Sequence, residues 1–312
     1  MNILIIGNGV HTNKRIHPAL STIENINKIT IGDRNTSKKY INEKGAEVEN
    51  VEKIYKNNHI FDLVIISTPP DSHMEVLEKI YNKSNKILIE KPLATNLEFI
   101  SNSLISDSGK TKVYESLMYF HHPIWSHVKK LIASNNITNV NCEFSVPHLN
   151  NESFRYSKKA GGGSLNDQGI YPISLASNIT KDSYALENIV IEKEAGYEVD
   201  LGGTLNLLID DKIQFNGKWG LGKDYKNYLE MKDANNNSYY IDFIFSKPDD
   251  TESKIVVKKN DIVSEIKIGV YDQFKLMYLD FLSDKFNRFE YSSYSNLLKR
   301  YKLYQEVKEQ LI

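Results

Sequence analysis

The chain has 312 residues, with 39 Lys and Arg against 40 Asp and Glu, and a formal net charge of -1. That length supports two domains with separate cores. The charge balance offers no pull toward nucleic acid or a membrane surface, and no apolar run reaches transmembrane length.

No basic block, heptad run or low-complexity tract breaks the pattern. The single cysteine, Cys142, excludes an internal disulfide, fits a reducing compartment and lies in a strand-like stretch, Val140 to Val146, as a core thiol. No Cys or His cluster has metal-ligand spacing, so no metal site is expected. The first strand begins at Asn2, which leaves no room for a signal peptide, and the expected location is the cytoplasm.

Asn2-Ile3-Leu4-Ile5-Ile6 reads as a buried strand and runs straight into Gly7-Asn8-Gly9-Val10-His11-Thr12. Lys14, Ile16, Ala19 and Leu20 predict a helix after it, kinked or delayed by Pro18. Strand, glycine turn and helix are the context of a phosphate loop. Gly7 makes the turn, Gly9 admits a pyrophosphate, and the helix start adds amides and a positive dipole end. Asn8 and Val10 belong to the same loop, and Thr12 stands where the fingerprint has Gly or Ala. The next strand, Lys28 to Gly32, ends in Asp33, about where a carboxylate takes adenosine ribose hydroxyls, which favours NAD. Arg34 beside it suits a 2′-phosphate or adenine stacking, so NADP stays open.

Phe61 to Thr68 is an apolar run ended by Pro69-Pro70, with Asp71 or Ser72 to cap a helix over Met74 to Tyr81. Ile87 to Glu90 and Thr111 to Glu115 predict two more strands. This alternation describes a doubly wound parallel sheet. Thr68 and Pro69 then flank the nicotinamide half of a dinucleotide, while His73 suits either capping and packing or a functional contact. Glu90 and Lys91 leave the strand on the ligand side, with Pro92 ending it. Lysine shifts its pKa readily when desolvated, which suits Lys91 to proton transfer.

After Pro123 the pattern changes to strands joined by polar turns: Asn139 to Val146, Ile189 to Ala195, Leu201 to Ile209, Ile213 to Trp219, Tyr228 to Lys232, Tyr239 to Phe245, Ile255 to Lys258 and Val263 to Ile268. Asp210-Asp211, Asn235-Asn236-Asn237 and Asn260-Asp261 are turn chemistry for an antiparallel sheet. Two helices follow, near Asp272 to Phe286 and Ser295 to Gln310. The expected fold is a Rossmann dinucleotide-binding domain over residues 1–120. An α+β domain over 121–312 follows, with a large, mainly antiparallel sheet that is open on one face. Within it, Gly161-Gly162-Gly163 leads into a helix on which Asp167 and Tyr171, four apart, share a face. A phenol and an ammonium at one ligand oxygen can pass a proton as hydride moves. His121 and His122 lie at the crossover, one suited to substrate and one to structure, and Arg155 suits either an anion clamp or a surface ion pair.

Gly7-Asn8-Gly9, Ser67-Thr68-Pro69-Pro70 through His73, Glu90-Lys91-Pro92, Val113 to Tyr119 with His122-Pro123, and Gly161 to Pro172 occur in this order along the chain. Together they resemble the glucose–fructose oxidoreductase and inositol dehydrogenase (Gfo/Idh/MocA) family over essentially the whole length. Many members carry a histidine four residues after the aspartate. Tyr171 here, with Phe154-Arg155, is similar to the branch of glucose–fructose oxidoreductase, dihydrodiol dehydrogenases and nucleotide-sugar ketoreductases. The resemblance implies that Lys91 and Tyr171 face substrate at the nicotinamide, with Asp167 nearby. It also implies a cis Lys91-Pro92 bond and an open sheet face used for a homodimer or homotetramer. The function implied is NAD(P)-dependent hydride transfer to a sugar carbon, with a nucleotide-linked keto-sugar preferred over a free sugar, cyclitol or diol. A non-catalytic dinucleotide sensor and an assembly subunit with a vestigial first domain are the readings from other classes. Lys91, Asp167 and Tyr171 together argue against the sensor.

Overall fold

A computed structural model describes residues 1–35, 46–106, 112–150, 153–260, 262–283 and 290–311. The chain forms two compact units, residues 1–117 with 274–294, and residues 118–273 with 295–312.

In the first unit, β1 (Asn2–Ile6), β2 (Lys28–Asp33), β3 (Glu47–Asn50), β4 (Leu63–Ile66), β5 (Lys86–Glu90) and β6 (Lys112–Ser116) form a sheet in the order β3-β2-β1-β4-β5-β6. Every pairing is parallel. Ile3, Leu4 and Ile5 of β1 and all of β4 are fully buried, as strands covered on both faces must be. The order reverses at β1 and β4, so their carboxyl ends open the crevice where such sheets bind ligands.

Three details differ from the sequence reading. The apolar run at 61–68 gives only the four residues of β4, because the Phe61 and Asp62 amides bond instead to the carbonyls of Lys83 and Asn2. The edge strand β3 has no apolar stretch to announce it. Residues 10–21 form one helix, which widens into a π-turn at Thr12–Ile16 just before Pro18. The proline has no N–H to give the preceding turn, and the widened turn absorbs that loss. The expected helix after Asp71 runs from His73 to Ile80.

The second unit contains β7 (Ile137–Val146), β8 (Tyr184–Glu192), β9 (Gly202–Ile209), β10 (Ile213–Leu221), β11 (Lys226–Asp233), β12 (Ser238–Asp242), β13 (Glu252–Lys259) and β14 (Ile262–Val270). They form one sheet ordered β14-β13-β12-β11-β7-β10-β9-β8. Only β10 and β7 run parallel. One face buries Leu205, Leu207, Phe215, Trp219, Leu229 and Met231. The other presents Asn206, Asn216, Asn141, Glu230 and Tyr240 in neighbouring registers, half-buried or exposed. The turn residues Asp210, Asp211, Asn236 and Asn260 take positive φ, as their chemistry requires. Strand β8 starts and stops earlier than its apolar residues suggest. Strand β12 ends at Asp242, where the Asn227 side chain takes the Phe245 amide at 3.0 Å and donates to the Ser246 carbonyl at 2.6 Å. Helices Ile170–Ile179 and Tyr294–Glu309 bury apolar residues in this unit.

Gly7 has φ +113°, and a Cβ there would lie 2.4 Å from the Ser67 carbonyl oxygen. Gly7→Ala therefore meets both backbone strain and a clash at the β1–β4 crevice. We expect it to lower unfolding stability by roughly 1–3 kcal/mol, measured by urea titration.

Candidate functional site

On the crevice side of the first unit, the glycine loop is tied to its surroundings by backbone and side chain. The Gly7 amide donates to Gly32 O at 3.0 Å. Thr12 is fully buried, and its hydroxyl lies 2.8 Å from Gly7 O and 3.2 Å from Ser67 Oγ. Asn13 donates to Asn8 Oδ1 at 2.9 Å and to Gly9 O at 2.8 Å. The space beyond Gly9 is open, with no atom within 4 Å of where a Cβ would stand. An ordered loop with clear space at its second glycine fits a dinucleotide pyrophosphate. Val10 is exposed beside it. Asp33 ends β2 half-buried, accepting the Asn35 amide at 3.1 Å, and Arg34 is exposed.

Lys91 sits half-buried on a segment whose backbone is held firmly. The Lys91–Pro92 peptide is cis. Glu115 accepts the Leu93 amide at 2.9 Å. Glu90, buried, accepts the Ser116 hydroxyl at 2.9 Å and lies 3.4 Å from His11 Nε2. Burial pushes the Glu90 carboxyl up, but His11, Ser116 and Lys91 outweigh it and hold it below its ordinary value.

His73 is buried, with Nδ1 at 3.0 Å from Pro92 O and Nε2 at 2.9 Å from Thr68 O. Burial keeps its pKa below the usual imidazole value despite these carbonyls and Glu90. Both ring nitrogens therefore face backbone, linking the Thr68-Pro69 loop to the Lys91 segment. Of the two roles open for His73 in the sequence, the geometry is that of packing.

In the second unit, a π-turn at Leu165–Gly169 leads into the helix Ile170–Ile179. Gly163, at φ +107°, leaves room for Asp200, whose Oδ1 would lie 2.4 Å from a Cβ there. Asp200 Oδ2 accepts from Ser164 Oγ at 2.5 Å and from the Leu165 amide at 2.7 Å. Burial raises its pKa, and those two donors only partly offset this. Asn166 bonds the Gly161 and Gly162 carbonyls and receives the Tyr304 hydroxyl at 2.5 Å. Asp200 thus satisfies the helix start that carries Asp167 and Tyr171. Nothing local in the sequence marks it, because its partners lie 35 and 36 residues away.

Asp167 Oδ2 pairs with Arg155 Nε and accepts from Gln168 at 2.6 Å. Burial works against the Arg155 charge, but Asp167 outweighs it and holds the guanidinium above its usual pKa, with smaller help from Tyr171 and Tyr156. Arg155 is therefore in an ion pair, one of the two roles its sequence position allowed. Tyr171 is 3% exposed, boxed by Tyr119, Phe144 and Phe245, with its hydroxyl 3.9 Å from Met118 Sδ. The backbone at Tyr171 is fixed by Ser174, whose hydroxyl donates to Tyr171 O and so receives that of Tyr119, each at 2.8 Å.

The two histidines separate. His122 Nδ1 accepts the Ile124 amide at 3.0 Å and caps the helix Pro123–Ser134, so its proton sits on Nε2 and is donated to Ser253 at 3.0 Å. This is a structural histidine. His121 is buried at the end of the preceding turn. Among the described residues no cluster of His, Cys, Asp and Glu could hold a metal ion, and no helix is long and apolar enough to cross a membrane.

Residues 1–106 match the model for an oxidoreductase family with an NAD-binding Rossmann fold, Gfo/Idh/MocA. A dTDP-3,4-didehydro-2,6-dideoxy-alpha-D-glucose 3-reductase from Actinomadura kijaniata is 23% identical, over 74% of this chain and 70% of that protein. The protein of the same name from Saccharopolyspora spinosa is 22% identical, over 87% and 83%. The crystal structure of KijD10, a 3-ketoreductase from Actinomadura kijaniata in complex with NADP and TDP-benzene, superposes with a TM-score of 0.90 at 20% identity. It covers 99% of this chain and 97% of that one, and it shows the same fold.

Burial, and then Lys247, lower the His122 pKa to about 4. In the unfolded chain an imidazole titrates near 6.5, so between about 6.5 and 4 only the unfolded state takes the proton. Stability contributed by neutral His122 is thus complete above that window and is lost as pH falls through it, by on the order of 1–3 kcal/mol. Denaturation measured from pH 7 to 4 should show this slope, and His122→Asn should flatten it.

Proposed function

We propose that this chain is an oxidoreductase of the Gfo/Idh/MocA family, whose model its first 106 residues match, and that it reduces a nucleotide-linked keto-sugar with a nicotinamide dinucleotide. The observation that carries the substrate is the pair of relatives named as dTDP-keto-sugar 3-reductases, each matched over most of its length. The glycine loop, with its open space at Gly9, supports the dinucleotide.

The nicotinamide, when bound, exchanges hydride with the sugar carbon. The protein's own residues handle the proton. Tyr171 donates it to the keto oxygen, and the Lys91 ammonium stabilises negative charge on that oxygen or on the phenolate; the opposite assignment uses the same two groups. Asp167 orients Arg155, whose guanidinium suits an anionic group such as the diphosphate of the substrate. Glu90, His73 and Thr68 position the Lys91 segment. His121 is the remaining histidine for substrate contact.

The test is incubation with NADH or NADPH and a panel of keto-sugars. Turnover of nucleotide-linked sugars and not of the free ones supports the reading. Preference for a free sugar, cyclitol or diol replaces it.

Two outcomes follow from the residue roles. Tyr171→Phe keeps the ring and deletes the proton, so turnover should fall by about 10²–10⁴-fold with dinucleotide affinity nearly unchanged. Lys91→Met should do similar damage, and the double variant should be little worse than either single one, because residues acting as a unit are not additive. Full activity in Tyr171→Phe sinks the assignment and makes His121 the donor to test. On the cofactor, Asp33 accepting the ribose hydroxyls predicts tighter NADH than NADPH binding, and Asp33→Ser should shrink the gap by about tenfold or more, as a charge-assisted hydrogen bond of roughly 1.5–3 kcal/mol implies. Equal or tighter NADPH binding by the unmutated chain transfers the role to Arg34.

A further inference from the structure

Just before the glycine segment of the second unit stand two lysines that the proton chemistry does not use. Lys158 and Lys159 lie on a short 3₁₀ turn, Lys158–Ala160, and both are exposed. The backbone of this turn is fixed. The Gly161 amide donates to Lys158 O at 3.1 Å, that of Gly162 to Ser157 O at 2.9 Å and that of Gly163 to Arg155 O at 2.8 Å. Tyrosines bring a distant stretch of chain against it. The Tyr156 and Tyr197 rings are 5.4 Å apart, and both pack on Val199, Leu201 and Leu221. The Tyr156 hydroxyl also accepts the Leu149 amide at 3.0 Å. Lys158, Lys159 and Glu198 then line one open cleft of about 550 Å³. Among the described residues, none of these three side chains has a hydrogen-bond or ion-pair partner. Lys223 of the same unit, by contrast, is taken up by Glu192 and Glu194.

We propose that this cleft is the subsite for the nucleoside diphosphate part of the substrate, with Lys158 and Lys159 on the phosphates and Glu198 on hydroxyl or N–H donors of the nucleoside. The proposal rests on the reading of the substrate as a nucleotide-linked keto-sugar. Ammonium groups bind phosphate as point charges, and neighbouring lysines on a fixed turn can supply one to each phosphate. Arg155 is engaged by Asp167, so the unpaired positive charge of this segment is that of the lysines. A carboxylate only accepts hydrogen bonds and repels a bare anion, so Glu198 favours a ligand that carries donors beside its charge. A nucleoside diphosphate does, and inorganic phosphate at neutral pH is mostly charge. Position agrees with this chemistry. The diphosphate of a nucleotide-sugar hangs from the ring that carries the ketone, so its subsite has to be built near the proton donor. The chain ties the two together: the Ser164 amide donates to Asp200 O at 2.9 Å, and the Asp200 carboxylate holds the start of the helix that carries Tyr171.

Calorimetric titration of the full chain with thymidine diphosphate and with inorganic pyrophosphate tests the assignment. The unmutated chain should bind the nucleotide more tightly than pyrophosphate. Lys158→Gln combined with Lys159→Gln should weaken the nucleotide by about tenfold, as two exposed ion pairs together imply, and the difference should narrow at high salt. Glu198→Gln should tighten pyrophosphate and so shrink the preference for the nucleotide. All three residues are exposed, so the variants should unfold like the parent chain. Equal binding of thymidine diphosphate by the double variant overturns the subsite and leaves a nucleotide-linked substrate standing. A matching loss of NADH affinity in that variant assigns the lysines to the dinucleotide and overturns the subsite too. No binding of thymidine diphosphate by the unmutated chain does the same, and turnover of free keto-sugars beside that result overturns the substrate reading as well.

Discussion

A parallel sheet buried on both faces leaves its strand ends as the place where chemistry can emerge, and polar groups there must be satisfied without water. In the first unit this constraint falls on three residues, Pro92, Leu93 and the lysine before them. The Leu93 amide goes to Glu115, the Pro92 and Leu93 carbonyls face His73, and Glu90 is held by Ser116. An unmet buried donor or acceptor costs ~1–3 kcal/mol, so these partners fix the backbone on both sides of Lys91. The segment that carries Lys91 is therefore held by bonds to its main chain.

The second unit solves the same problem by different means. Asp200 ties down the start of the helix, and Tyr119, Phe144 and Phe245 pack the Tyr171 ring from its sides. The polar grip is at the helix terminus, where orphan amides need acceptors. The apolar grip is at the Tyr171 ring. Between them lies Asp167, whose charge is balanced by Arg155.

The strands legible in the sequence are β1, β2, β4, β5, β6 and most of the large sheet, where burial leaves a continuous or alternating apolar pattern. Strand β3 is polar and at an edge, so it lacked that signal. The end of β12 was illegible because Asn227, sixteen residues before Phe243, captures the chain that follows it. Lys91 and Tyr171 stand out only through their place in an ordered set of motifs, since a strand-end lysine and one of 19 tyrosines carry no signal alone. Asp200 and Glu115 do not, because a carboxylate that accepts a distant backbone amide looks in sequence like any other acid. His121 and His122 were inseparable by spacing. They part only through the Ile124 amide and the Ser253 hydroxyl, contacts that depend on the folded chain.

Thr12 is the one departure from the phosphate-loop fingerprint, and it is the feature that a vestigial first domain would rely on. A third glycine serves close packing of helix against strand, which a buried threonine should obstruct. Here the side chain is fully buried, with its hydroxyl bonded to Gly7 O and beside Ser67. The substitution has been absorbed by local geometry and returns a hydrogen bond to the carbonyl of the first glycine. A loop decaying without a ligand has no reason to acquire that bond while leaving the space at Gly9 clear, so the departure speaks for a working phosphate loop built from different parts.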